Sequence, residues 1–337
     1  MALILSAEGV RVEIALDIAA APRTAQALVD SLPARVDLHC AKIAGDQILW
    51  PAPFVMPLES ARDIQGVGPG AFIYYPKRQF LEIMFGPLQD ETASVTILGQ
   101  VSAGLDGLAR IGKIVQKDHG WRTVWAELRA GSGAWRAELA RAAQAAPILP
   151  GEVAQTADAD AGRSLQAARS ARRRAWSGMP REFERLRARE GVMLPLGPIF
   201  FAESELRKLH ENLWLVRETG SDAEARTAAM LIRGAAAQLD GLLGLHETAR
   251  TLSLFADALV GEDDRAAVLD EAIMAVGRLS HWLDLYFPWQ KLNEASARAA
   301  LGAAPKTKPA GGTGPRAKPA PGKSRTRPAP PRREPQA

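Results

Sequence analysis

Two arginines, Arg62 and Arg78, stand among aromatic, amide and acidic side chains in the first quarter of the chain: Trp50, Glu59, Tyr74, Tyr75, Gln79 and Phe80. A guanidinium beside an apolar floor can hold a carboxylate or stabilise a reacting amide, and small-molecule and peptide sites combine such a floor with a few convergent polar groups. This set is the candidate ligand site, with Arg62 and Arg78 as candidate catalytic groups. The competing account is packing: Glu59 and Arg62, three apart, form a surface ion pair and the aromatics are core.

Other familiar chemistries lack their spacing. Leu209-His210-Glu211 and Leu245-His246-Glu247 echo one another, and His281 and Asp284 lie one helical turn apart. A zincin needs His-Glu-x-x-His and a di-iron bundle repeated Glu-x-x-His, and neither occurs. The sole cysteine, Cys40, excludes an intramolecular disulfide and Cys-x-x-Cys zinc sites. There is no phosphate loop; Gly66-Val-Gly-Pro-Gly70 precedes a strand pattern, not a helix. Gly131-Ser-Gly133 lacks the frame of a nucleophile elbow. No metal and no cofactor is expected.

The charge is unevenly distributed. The 337-residue chain carries +4, but residues 303–337 hold nine Lys/Arg against Glu334, leaving residues 1–302 mildly acidic. A second basic stretch, Arg163 to Arg189, has nine arginines against Glu182 and Glu184. Its Arg172-Arg173-Arg174 core is a candidate for phosphate or nucleic acid. Residues 203–271, with fourteen acids against seven Lys/Arg, offer an internal partner, and internal pairing is the favoured reading.

These residues must be positioned by two kinds of element. Residues 8–18 alternate with Val10, Val12, Ile14, Leu16 and Ile18 on one side, a half-buried strand. Pro22 then opens a short helix with Ala25, Leu28, Val29 and Leu32 at helical spacing, stopped by Pro33. From Val36 to Leu128, short β-branched or aromatic runs alternate with turn residues, which predicts a small closed barrel. A further helix is expected at Leu105 to Ile111 and a last strand at Val124 to Leu128. Beyond Trp135 the texture becomes Ala- and Arg-rich, with helices expected near 163–190, 203–218, 222–243, 246–260 and 264–287.

The expected organisation is multidomain. A β-barrel with two short helices occupies 1–132, a helical segment and linker 133–162, and an all-helical domain 163–302. A Pro/Lys/Arg-rich tail, 303–337, has too few apolar residues to order. The tail is suited to salt-sensitive contact with nucleic acid, anionic membrane or an acidic partner. The N-terminus lacks a basic n-region and no apolar run reaches the roughly 20 residues of a membrane span, so a cytoplasmic protein without a transmembrane segment is expected.

The opening Val10-Arg-Val-Glu-Ile-Ala-Leu-Asp-Ile, followed by Ala21-Pro-Arg-Thr-Ala-Gln-Ala-Leu, resembles the start of cyclophilins. Gly45-Asp46-Gln-Ile-Leu-Trp50, Leu58-Glu-Ser-Ala-Arg-Asp-Ile64, Gly70-Ala-Phe-Ile-Tyr-Tyr75, Phe85-Gly86 and Val101-Ser-Ala-Gly-Leu-Asp-Gly-Leu108 resemble, in order, the small prokaryotic cyclophilin-like barrels. The resemblance covers residues 5–130 and implies the scaffold. The Phe-His-Arg and Gln-Gly-Gly-Asp segments of true prolyl isomerases are missing, and Phe85-Gly-Pro-Leu-Gln replaces the usual Phe-Gly-x-Thr-Pro. The resemblance therefore implies a protein that binds a small molecule or peptide at the barrel groove without the isomerase set. The alternatives are a peptidyl-prolyl isomerase using Arg62 or Arg78, and a nucleic-acid-associated protein using the basic helix and tail.

Overall fold

The computed structural model describes residues 2–41, 45–88, 92–133, 135–150, 152–153, 161–187, 196–219, 222–261, 264–287 and 289. The tail at 303–337 and part of the expected linker, 151 and 154–160, lie outside them.

The long first strand of the sequence reading is the second arm of a hairpin. β1 (Ala2–Ala7) and β2 (Val10–Leu16) are joined by Glu8 and Gly9, both at positive φ. Two left-handed residues in a row match the right-handed twist of the strands they connect. Val10, Val12, Ile14 and Leu16 face inward as the alternation requires. α1 (Pro22–Asp30) starts with proline in its first turn and buries Ala25, Leu28 and Val29.

The remaining strands are β3 (Ala34–Cys40), β4 (Gly45–Pro51), β5 (Ala61–Asp63), β6 (Ala71–Tyr75), β7 (Phe80–Leu88), β8 (Ser94–Ala103) and β9 (Val124–Ala130). They pair antiparallel in the order β2-β1-β9-β3-β4-β7-β6-β8, and β8 pairs back onto β2 to close an eight-stranded barrel. The short β5 adds to the free stretch of β8. Closure depends on Gly99, where a Cβ would lie 2.1 Å from the Ala15 carbonyl oxygen. Leu3, Leu5, Ile14, Ile48, Trp50, Phe72 and Tyr74 help fill the interior, so the barrel is a packed core.

α2 (Leu105–Asp118) runs a full turn and more beyond the expected Ile111. Gly112, which reads as a breaker, instead lets the helix press against β7: a Cβ there would come within 2.3 Å of the Phe85 ring. Val115 then continues the buried stripe of Leu108 and Ile111.

After the barrel come α3 (Trp135–Ala145), α4 (Arg163–Ser177), α5 (Arg181–Arg187), α6 (Leu196–Thr219), α7 (Asp222–Leu243), α8 (His246–Val260) and α9 (Arg265–Asp284). The single helix expected over 163–190 is broken at Gly178-Met-Pro180, where proline cannot continue the ladder. The break lets Glu182 of α5 accept hydrogen bonds from the Glu247 and Thr248 amides, capping the start of α8. α6 begins seven residues before the expected start.

α9 is buried from Ala272 to Leu283 on every face, and α4, α6 and α8 pack around it. The stretch is mostly apolar, its buried Arg278 and His281 meet Asp37 and the Arg78 carbonyl of the barrel, and the helix sits between the other helices and the barrel wall. The described residues belong to one compact unit. No helix among the described residues is long and apolar enough to cross a membrane.

Candidate functional site

The structure distributes the sequence-derived candidates over several environments and does not gather them in one groove. Trp50, 1% exposed, stacks on Phe72 inside the barrel with ring centroids 5.9 Å apart. Tyr74 is also interior; its hydroxyl accepts a hydrogen bond from the Met56 amide at 3.2 Å. Burial drives the Tyr74 phenol well above its ordinary value. Tyr75 is half-buried, and Arg62 projects from the exposed β5.

Glu59 acts on α1. Its carboxylate accepts from the Arg23 and Thr24 amides at 3.2 and 2.8 Å, and from the Thr24 hydroxyl at 2.8 Å. Ala21, at the N-cap, has no side-chain acceptor, so an acid from a distant loop supplies the cap. It forms no ion pair with Arg62 among the described residues.

Gln79, Phe80 and Arg78 belong to the seam between barrel and helices. Gln79 takes a left-handed conformation after a 3-10 turn and donates to the Ala52 carbonyl at 2.8 Å. Its Oε1 lies 3.3 Å from His210 Nε2. Phe80 stacks on His281, with centroids 4.5 Å apart, and the His281 ring nitrogen meets the Arg78 carbonyl at 3.0 Å. The Arg78 guanidinium faces Glu211 of α6 at 3.8 Å.

The seam has a dry end. Asp37 of β3 is met by His39 at 3.1 Å, by two nitrogens of Arg278 at 3.2 Å each, and by the Tyr286 hydroxyl. The Arg278 guanidinium lies 3.8 Å over the Trp282 ring. Burial alone would raise the Asp37 carboxyl, but the His39 hydrogen bond and the Arg278 charge outweigh it and hold it far below the carboxylate range. Burial lowers His210 to about 3, helped by the Arg78 charge, and His281 is lowered the same way. Both rings pack in the seam, His210 against Gln79 and His281 against Phe80.

At its other end the seam opens into a cleft of about 780 Å³. Its floor is the Pro53–Met56 loop of the barrel, and its walls come from α1, α3, α4 and the first half of α9. From Asp270, at the cleft, to Arg278, in the dry cluster, α9 rises only about 12 Å. Arg23 of α1 grips both carboxylate oxygens of Glu152 and donates to the Ala143 carbonyl at 2.9 Å. Burial would raise Glu152, but Arg23 brings it below its usual value. Arg217 Nε reaches Asp270 at 2.5 Å from behind, and Arg172 Nε reaches Glu271 at 2.5 Å. Burial pushes the Asp270 carboxyl up to about 6, against the pull of Arg217.

Of the basic triplet, Arg172 thus pairs internally, as the charge balance suggested, while Arg173 and Arg174 are exposed. Sequence reasoning did not find the cleft: its residues come from six separated segments, and only the arginine spacing along α4 was a visible signal. Among the described residues, no group of three His, Cys, Asp or Glu side chains is placed to hold a metal.

No family model matches the chain, and no curated protein matches it. Among solved structures, the solution structure of a hypothetical protein from Archaeoglobus fulgidus aligns with a TM-score of 0.29 at 21% identity, over 39% of this chain and 95% of its own. McbB, solved in complex with tryptophan, aligns with a TM-score of 0.66 at 18% identity, over 87% of this chain and 99% of its own. The barrel and the helical half together are therefore similar in fold to McbB.

Proposed function

We propose that this protein binds a small organic molecule in the cleft between the barrel and the helices. The cleft itself carries the reading: its volume of about 780 Å³ falls in the roughly 300–1,000 Å³ range of small-molecule sites. Phe54, Val55, Met56 and Met274 offer apolar surface, while Arg23, Glu152, Asp270, Glu271 and Arg172 place both signs of charge around it. Such walls suit an amphoteric ligand with an apolar body. The tryptophan held by McbB has that chemistry and supports the reading. In the same reading the barrel is a cyclophilin-like scaffold in a cytoplasmic protein, serving as one wall of the site.

The test is a thermal-shift and calorimetric screen of the full chain against aromatic amino acids and related aromatic acids and amines, with Ala140→Trp as control. Ala140 is a half-exposed residue of the cleft wall, so the added indole fills the cleft without entering a core. The expected result is a ligand that raises Tm for the native chain and not for Ala140→Trp. A screen without a stabilising compound, or equal stabilisation of the filled variant, overturns the proposal.

A further inference from the structure

Residues 52–60 connect β4 to β5 without regular structure, yet Ala52, Phe54, Val55, Met56 and Glu59 are buried. Buried irregular backbone has to find partners for its polar groups outside a ladder. The barrel supplies them. The Ala52 carbonyl accepts from the Gln79 side chain at 2.8 Å, and the Ala52 amide donates to the Gln79 carbonyl at 2.8 Å. At the other end the Glu59 amide donates to the Thr96 hydroxyl at 3.0 Å. Between these anchors the Met56 amide donates to the Tyr74 hydroxyl at 3.2 Å.

The side chains of this loop go two ways. Phe54 and Met56 pack into the barrel core, and Phe54 lies against the Tyr74 ring with centroids 5.1 Å apart. Val55 packs into the core of the helices. All three line the cleft, whereas Tyr74, fully buried, stands behind them. Arg217 and Asp270 act on the Tyr74 phenol in opposite directions, so its hydroxyl also lies within electrostatic reach of that charged pair. One hydroxyl inside the barrel thus fixes the middle of the cleft floor from below.

We infer that Tyr74 is a positioning residue of the cleft: its hydroxyl holds Phe54 to Met56 as a preformed apolar floor, and that floor reads the size of the ligand's apolar body. This rests on the proposed binding role of the cleft. A floor ordered before binding spares the complex the cost of ordering it. A held wall also discriminates by size where a mobile, Met-containing one repacks around whatever enters.

The test uses the full chain and Tyr74→Phe, which keeps the ring and removes only the hydroxyl. Hydrogen exchange reads the clamp without a ligand: the Met56 amide is expected to be protected in the native chain and to exchange at least about tenfold faster in Tyr74→Phe, while the amides of β4 and β7 keep their protection. Calorimetry then uses L-tryptophan and L-phenylalanine, which carry the same charged groups on rings of different size. The native chain is expected to separate the two. Tyr74→Phe is expected to weaken the tighter probe at least about threefold and to narrow the separation, the scale of re-ordering a released side chain on binding. Ile14→Val, an interior truncation on β2 that touches no hydrogen bond of the loop, is expected to lower Tm and leave both affinities unchanged. No separation by the native chain, equal affinities of the native chain and Tyr74→Phe, or equal Met56 exchange in the two overturns the inference and leaves the cleft as a binding site. If neither probe binds the native chain, the cleft reading fails and the inference with it, and Met56 protection then reports a structural hydrogen bond alone.

Discussion

The two ends of the seam between barrel and helices are built from the same residue types and do opposite things. At the Asp37–Arg278 end the charges are buried, each facing several partners, with Trp282 and Tyr286 excluding water. At the cleft end the charges meet in direct pairs, Arg23 with Glu152 and Arg172 with Glu271, that line an open volume. One helix, α9, serves both. Burying a charge fully is expensive unless several partners meet it, as they do at Asp37, whereas the Arg23–Glu152 pair at the cleft keeps a little solvent contact and costs less. The difference places the buried polar contacts between the two halves at the first end and the open volume at the second.

The largest expected effect is at the dry end. Arg278→Ala strands the Asp37 carboxylate and is expected to cost about 3–5 kcal/mol, measured by denaturant unfolding, with the double change Asp37→Leu and Arg278→Leu recovering much of it. At the cleft, Arg23→Ala is expected to cost about 1–2 kcal/mol, because its pair with Glu152 is partly solvated. Equal losses at the two ends would break the comparison.

Acid gives a finer test. His210 is held at about 3, below its ordinary value, so between those two values the unfolded chain takes up a proton that the folded one refuses. Its contribution is therefore complete above its ordinary value and is lost as pH falls toward 3, with a slope of up to about 1.4 kcal/mol per pH unit. His210→Gln should flatten that part of the stability profile while keeping a hydrogen bond to Gln79. An unchanged profile would mean that the histidines do not couple the halves. The smallest effects belong to the original arginine candidates. Arg78→Ala removes a half-exposed pair with Glu211 and should cost below about 1 kcal/mol. Arg62→Ala, on the exposed edge strand, should stay within about 0.5 kcal/mol.

The primary structure by itself determined the local elements. The period-two run of Val10 to Leu16, the turn residues between the later strands, and the helical spacing beyond residue 163 are all realised, because each depends on neighbours within a few residues. The opposite charge balances of 163–189 and 203–271 favoured internal pairing of the basic stretch, and Arg169 and Arg172 do meet Glu271, while Arg173 and Arg174 are exposed. Element ends were harder: the spacing of Leu105, Leu108 and Ile111 does not show that the helix continues through Gly112 against the Phe85 ring, and Pro180 breaks a helix whose charge pattern runs on. The placement of chemistry was decided only in three dimensions. Trp50 and Phe80 read alike as aromatic strand residues, yet one fills the barrel and the other meets His281, 201 residues later. Glu59 reads as a ligand for Arg62 and instead caps a helix 35 residues upstream. The cleft joins α1, α3, α4, α9 and two non-helical segments, and no periodicity within a segment encodes which faces of separate segments meet. That is settled by the packing of α9 between two layers, a property of the whole chain.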